Sequence, residues 1–432
     1  MRIAVLGASG LIGEAVTRDL VADGFDVVAM ARRFTPRQMA AFGARAVEAP
    51  FVAKTAQTLA ATLEAHGVGV VVNCVGALQA SGKSDPREVH APFVARLLDA
   101  LGGRALIHLS MPGEGDDDPT PFSRSKRAAD ADIAARAGCY AILRPGFVIA
   151  PTPYGASALL RALATTAFDL PGAMRSRPFA PVAVADISET IAALARRALA
   201  GERFSVTWDL CAAQPRTLGE VADAFRRRFG APAPRFAAPM ALATLTGVAS
   251  DVVARLGWLA PTRSTALREI ARGVVADPSG WMAATGARPR SLDAAMLAVP
   301  ADAARFWFAR LYWLKPLIVA TLALFWIVSG VVALSVGYAA AARALRALGW
   351  SEGAASAFTM ATALADIGVG ALISVRRTHG VGLAAGAALA LAYVVGATAI
   401  APGLWSDPLG PLVKVFPTLA LSAAAWAIAP DR

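Results

Sequence analysis

Apolar and polar residues follow two different rhythms along this chain of 432 residues. Up to about residue 300, short apolar runs recur at Ile3–Leu6, Val27–Met30, Val70–Val72, Ala105–Leu109 and Tyr140–Leu143, each ending in a polar or glycine-rich turn. Runs this short, without strict alternation, predict strands buried on both faces. Helical stretches lie between them, the first from Leu11 to about Ala22. Strands alternating with helices imply a parallel sheet with right-handed crossovers. Beyond about 300 the runs lengthen. Residues 316–338 carry no charge over 23 positions, enough at about 1.5 Å per residue to span a hydrocarbon core of about 30 Å. Further candidate spans lie at about 354–374, 381–401 and 412–429. The predicted fold is α/β, a doubly wound parallel sheet with a small substrate lobe, followed by an all-α four-helix transmembrane bundle. The expected divisions are 1–300, in which about 150–300 includes the lobe, an aromatic linker over 301–315, and a membrane domain over 316–432.

Composition sharpens this division. Only 10 of the 117 residues in 316–432 are charged, against 63 of the 315 before them. The mean hydropathy of +0.51 therefore averages an ordinary soluble part with a membrane part. Hydrophobicity this high excludes a disordered chain. Cys74, Cys139 and Cys211 show no Cys-x-x-Cys spacing, which excludes a disulfide scaffold and a zinc ribbon; no metal is expected. The formal charge of +11 is spread without a long basic block, so a membrane-facing protein is the expectation and a nucleic-acid partner is not. Only five of the 42 basic residues are lysine (Lys54, Lys83, Lys126, Lys315 and Lys414). A high-GC, bacterial coding bias gives such a ratio, and against it each lysine stands out.

The first chemistry comes at the end of the first run. Gly7-Ala8-Ser9-Gly10-Leu11-Ile12-Gly13 follows a strand and opens a helix, and Val27–Met30 supplies a second strand, the context a dinucleotide fingerprint requires. Gly7 permits a tight turn, Gly10 lets the backbone approach a pyrophosphate, and Gly13 lets the helix pack close to the strand. The helix N-terminus turns free N–H groups and its positive dipole end to the phosphates. At the end of the second strand stand Arg32 and Arg33, where an acidic residue would bind the ribose 2′-hydroxyl and an arginine a 2′-phosphate. NADP(H) is therefore expected in preference to NAD(H). The carboxyl ends of the strands, where ligands bind in such sheets, fall at Gly7, Asn73, Gly76 and Ser110.

Four segments carry a family resemblance: the glycine loop 7–13; Asn73-Cys74-Val75-Gly76; Leu143-Arg144-Pro145-Gly146-Phe147-Val148; and Pro181-Val182-Ala183-Val184-Ala185-Asp186-Ile187-Ser188. They resemble the short-chain dehydrogenase/reductase superfamily of NAD(P)-binding Rossmann proteins. The similarity is to its atypical and extended branches, the isoflavone-reductase-like and complex I 39 kDa subunit-like proteins. The resemblance implies that the fourth segment is a strand and helix of the substrate lobe, with Arg216–Val221 in the same lobe. It also implies cofactor contacts from Ala8, Ser9, Leu11, Ile12, Pro145 and Phe147. Family enzymes use a Ser, then Tyr-x-x-x-Lys on a helix, with the Lys holding the nicotinamide ribose and the Tyr moving the proton. Here Ser110 and Lys126 match, as catalytic and, for Lys126, cofactor-binding residues, but the Tyr position is Phe122, which has no proton to transfer. Tyr154 in the next loop is either a substitute reaching the pocket or a turn aromatic, and His108 reads as a packed core histidine. Val47-Glu48-Ala49-Pro50 is a second departure, since relatives often have an Asp there near the adenine.

The hydrophobic third begins with Phe306–Lys315, five aromatics and a closing lysine, an interfacial belt before a span. Pro316 suits a first helical turn, and Gly382-x-x-x-Gly386 a close helix contact. Four spans put both termini on one side. The Arg376-Arg377-Thr378-His379 loop marks that side as cytoplasmic, in a bacterial inner membrane. About 305–432 resembles DoxX-like four-helix membrane proteins through Phe325–Gly330, Ala365–Gly370, Asp407-Pro408-Leu409 and Lys414–Pro417. That resemblance implies a quinone as a candidate partner. Asp366 and Lys414 are the membrane-site candidates, because a charge inside a span costs about 2.5–3.5 kcal/mol. A homo-oligomer through the bundle stays open. The readings are a membrane-tethered NAD(P)H oxidoreductase with a small-molecule substrate or lipid-soluble acceptor; a non-catalytic NADP(H) sensor or assembly factor; and an epimerase or dehydratase on a nucleotide-linked substrate, which the missing Tyr disfavours.

Overall fold

The computed structural model describes residues 1–78, 86–113, 118–258 and 260–429. Lys83 lies outside them, as do the last three residues of the predicted membrane domain. Eleven strands are described: β1 Arg2–Leu6, β2 Val27–Ala31, β3 Ala46–Glu48, β4 Val68–Asn73, β5 Ala105–Leu109, β6 Tyr140–Pro145, β7 Phe147–Ile149, β8 Phe168–Asp169, β9 Pro181–Ala183, β10 Ser205–Leu210 and β11 Phe236–Ala237. Seven form one sheet in the order β10-β6-β5-β4-β1-β2-β3, and every pairing in it is parallel. Strand order reverses between β1 and β4, so a crevice opens where their carboxyl ends diverge.

Helices cover both faces. On one, Val16 and Leu20 of the helix Leu11–Ala22 and Ile187, Ile191 and Leu194 of the helix Val184–Leu199 pack on Ile3, Val5 and Val72. On the other, Leu59, Leu63, Phe93, Leu97 and Ile133 pack on Ala4, Val71 and Leu106. The fourth resemblance segment is thus divided, a correction to its placement in the lobe. β9 pairs with β7 outside the main sheet, but the helix that follows covers the main sheet, and β10 then extends that sheet beyond β6. The lobe has its own core, in which Val221 and Phe225 meet Leu292, Met296 and Ile149.

The chain divides into two compact units, Met1–Asp251 with Ala260–Ala309, and Val252–Leu259 with Arg310–Arg432. Among the described residues three helices are long and apolar enough to cross a membrane: Ala303–Leu334, whose first seven residues belong to the first unit, Glu352–Ser374 and His379–Ile400. The predicted fourth span is a helix of only 14 residues, Val415–Ile428, about 21 Å long. Gly410 and Pro411 open a turn over 411–414, so the helix starts three residues later than expected. Pro316 is not at a first turn either. It sits inside the 32-residue helix Ala303–Leu334, which carries the aromatic segment and the first span as one element. Span packing is close at two glycines. A Cβ at Gly382 would lie 2.6 Å from the Ile373 nitrogen, and one at Gly386 3.1 Å from Trp326 Nε1.

Candidate nucleotide site

The glycine loop is built by close approach. Gly7 has φ +81°, and a Cβ there would meet the Cys74 backbone at 2.9 Å. A Cβ on Gly13 would stand 2.3 Å from the Gly7 carbonyl oxygen, whereas one on Gly10 would be 3.3 Å from the same atom. Gly10 is the N-cap and offers no side-chain cap, which leaves the first N–H groups of the helix Leu11–Ala22 facing the crevice. The Gly7 and Ala8 N–H groups are both taken by the Met30 carbonyl, at 2.8 and 3.1 Å, so Ala8 shapes the loop through its backbone. Gln38 braces it, with Nε2 donating to the Ser9 carbonyl at 3.1 Å and to Glu14 Oε2 at 2.6 Å.

Arg32 and Arg33 are exposed directly after β2, on the side of the loop where a nucleotide ribose lies in this fold. Glu48 at the end of β3 accepts from the Phe34 N–H at 2.5 Å and so closes the turn that carries both arginines.

The end of β4 holds a different device. Asn73 is fully buried; its Nδ2 donates to His108 Nδ1 at 3.0 Å and its Oδ1 accepts from the Val75 N–H at 3.1 Å. Its side chain therefore fixes the turn that presents Gly76 and is not itself offered to a ligand. Burial, and then the Lys126 charge, hold His108 well below the usual histidine range, so it is neutral.

The helix Pro121–Arg136 starts on a capping box between Thr120 and Ser123 with Pro121 in the first turn. One face of it points at the carboxyl ends of β4 and β5. Lys126 is buried and its Nζ donates to the Leu109 carbonyl at 2.6 Å. A Cβ at Gly76 would lie 3.7 Å from both Lys126 Nζ and His90 Nε2, so the three converge. Ser110 Oγ is covered from solvent and hydrogen-bonds the Asp130 carboxyl, which opposes the upward pull of burial on that acid. Burial pulls the Lys126 ammonium down to about 8, against the opposing pull of Asp130. Burial likewise pushes the Cys74 thiol up to about 12, which leaves it unreactive.

His90, which the sequence reading missed, completes the cluster. Its Nδ1 lies 2.7 Å from Ser125 Oγ and its Nε2 accepts from the Ala77 N–H at 3.2 Å. With Nε2 accepting, Nδ1 carries the proton. Burial, reinforced by Lys126, lowers its pKa to about 3. The signal available was rarity, since the chain has four histidines and this one precedes the Ala91-Pro92 helix start. Tyr154 does not replace the missing tyrosine: it is 52% exposed at the N-cap of the helix Gly155–Ala164. Pro145 is buried at the end of β6, and the Phe147 ring packs against Phe179 at 4.8 Å.

In the second unit Asp366 is buried among the spans and accepts from Tyr393 Oη at 2.7 Å. Lys414, exposed at the N-cap of the short helix, makes no ion pair with it among the described residues. The two membrane-site candidates are therefore not brought together.

This arrangement, a glycine loop and a lysine-bearing helix at a Rossmann switch point, defines a dinucleotide-binding protein, and the comparisons agree. Residues 7–169 match the NAD(P)H-binding family and residues 323–423 the DoxX-like family. The chain joins an NAD(P)H-binding Rossmann domain to a C-terminal DoxX-like domain. No curated protein matches it in sequence. Among solved structures it is similar to UDP-glucose 4-epimerase of Thermus thermophilus in complex with NAD (TM-score 0.50, 19% identity, 69% of this chain and 98% of that one). It is also similar to UDP-glucose-4-epimerase of Stenotrophomonas maltophila with bound NAD and formylated UDP-arabinopyranose (0.52, 18%, 72% and 99%). A third is dTDP-glucose 4,6-dehydratase of Bacillus anthracis in complex with NAD (0.52, 13%, 73% and 99%). At these identities the likeness shows the shared fold.

Proposed function

We propose that this chain is a membrane-tethered, NADP(H)-preferring oxidoreductase that passes a hydride to a quinone or another lipid-soluble acceptor. The observation that carries it is the convergence of the buried Lys126 ammonium, Gly76 and His90 at the nicotinamide end of the crevice, with Phe122 where a proton donor would stand. A nicotinamide held there supplies the hydride. Lys126, protonated below about pH 8, holds the ribose hydroxyls, and Ser110 orients the neighbouring group. The glycine loop takes the pyrophosphate and Arg32, with Arg33 beside it, the 2′-phosphate. Phe122 delivers no proton, which disfavours carbonyl reduction and epimerisation but not hydride transfer to an acceptor that draws its proton from water. The soluble domain stands on the cytoplasmic side of a bacterial inner membrane, consistent with Arg376 and Arg377 between the second and third spans.

A specific observation favours a second reading, an NADP(H)-binding sensor or assembly factor. Both His90 nitrogens are engaged, so His90 does not replace the absent acid. The full chain in nanodiscs separates the two. NADPH binding followed by fluorescence, then NADPH oxidation on adding a soluble quinone, supports the oxidoreductase. Binding without oxidation across several quinones leaves the sensor.

A further inference from the structure

The helix Met240–Arg255 presents an unusual surface. Only Gly247 is buried along its 16 residues. Its packed side runs through Ala243, Gly247, Ser250 and Ala254, while Leu242, Leu245, Val248, Val252 and Leu256 line the opposite side, with Leu245 65% exposed. Arg255 is the one exposed charged residue on the helix, because Asp251 is partly covered and paired with Arg263 at 2.9 Å. A face this apolar is not built for water.

The C-terminal end of this helix says what covers it. Val252–Leu259 belong to the compact unit that holds the spans. The Leu256 carbonyl accepts from the Arg376 N–H at 3.0 Å, and Trp258 Nε1 donates to the Ser374 carbonyl at 2.7 Å. The Trp258 ring stands edge-on to His379 with centroids 5.1 Å apart. Ser374 ends the second span and His379 begins the third, so these contacts pin the end of the helix at the level where the spans leave the hydrocarbon. At about 24 Å the helix is too short to cross. An apolar stripe that starts at that level, with a tryptophan as its anchor, has the form of a helix lying in the membrane surface.

We propose that Met240–Arg255 is an in-plane membrane helix, with Leu242, Leu245, Val248, Val252 and Leu256 seated in the lipid boundary. The bilayer is the occupant because the stripe is continuous, through one rigid helix, with residues fixed to the span loop. This assignment is independent of the redox chemistry proposed above.

The test uses the full chain in phosphatidylethanolamine–phosphatidylglycerol liposomes. Nitroxide labels are placed at Leu245→Cys, Val248→Cys and, as a water-facing reference, Glu64→Cys, with the labelled parent chain subtracted. Leu245 and Val248 are exposed, so neither change threatens the fold. The expected result is a ratio of oxygen to water-soluble nickel-chelate accessibility about fivefold or more above that at Glu64. A ratio equal to the reference would place the face in water and overturn the proposal. Protection from both reagents would place a protein there, such as a second copy, and overturn it equally.

Discussion

The His90 imidazole stands edge-on to the Phe122 ring, with centroids 5.4 Å apart and planes at 72°. Phe122, at the position where the family resemblance expects a proton donor, is therefore packed into the site by a neutral histidine. Phe122→Tyr adds a hydroxyl one helical turn before Lys126, the spacing at which the lysine can lower its pKa. NADPH-dependent reduction of small carbonyl compounds is expected to rise by about 10²-fold over the parent chain. Absorbance at the nicotinamide band reads it, and an unchanged rate in a variant that still binds NADPH would argue for the sensor reading.

Lys126 gives two opposite pH dependences. Its charge is lost as pH rises through about 8, so NADPH affinity in the parent chain is expected to fall about tenfold between pH 7 and 9.5 and to stay flat in Lys126→Met. Stability runs the other way. The folded value of about 8 lies below the unfolded 10.5, so between them the unfolded chain binds more protons. Parent stability, relative to Lys126→Met, is therefore expected to rise across that window. Thermal unfolding at pH 7 and pH 10 checks the sign.

Arg32→Glu reverses the charge at the end of β2 without touching the core. NADPH affinity is expected to drop about tenfold or more while NADH affinity holds or improves. Paired titrations by fluorescence decide it, and an equal loss for both nucleotides would remove Arg32 from the 2′-phosphate.

Two of the three loop glycines, Gly10 and Gly13, differ in how much room they have. Gly13→Ala drives a methyl against the Gly7 carbonyl and is expected to cost about 1–3 kcal/mol of stability together with nucleotide binding. Gly10→Ala meets a looser contact and is expected to weaken binding with less loss of stability. Denaturation and NADPH titration of both variants measure the difference.

In the bundle, Tyr393→Phe and Asp366→Ala remove the same hydrogen bond from opposite sides. Their effects on thermal stability in detergent are expected to be non-additive by about 0.6–2 kcal/mol in a double-mutant cycle. Strict additivity would mean that Asp366 is held by other partners.

What was legible in the sequence was local chemistry. Ile3–Leu6 and the glycines at 7, 10 and 13 each announce their structure within a few residues. Partners distant along the chain were not legible. Nothing near Asn73 says that His108 will absorb its amide, and nothing near Asp366 points to Tyr393 rather than Lys414. The fourth helix starts later than expected because apolar character continues through Leu412 and Val413, while the turn set by Gly410 and Pro411 delays it. The stripe on Met240–Arg255 was present in the residues at helical spacing, but its exposure depends on which side Gly247 turns inward.

β10 is the seventh strand of the nucleotide-binding sheet, yet the chain reaches it only after building β7, β8 and β9 elsewhere. A fragment ending at residue 169, where the match to the NAD(P)H-binding family stops, would leave β6 as an open edge and strip Ile187, Ile191 and Leu194 from over Val16 and Leu20. During synthesis the nascent chain must therefore hold an unfinished sheet until residue 210 has been made. A piece that keeps the whole sheet therefore has to run through residue 210.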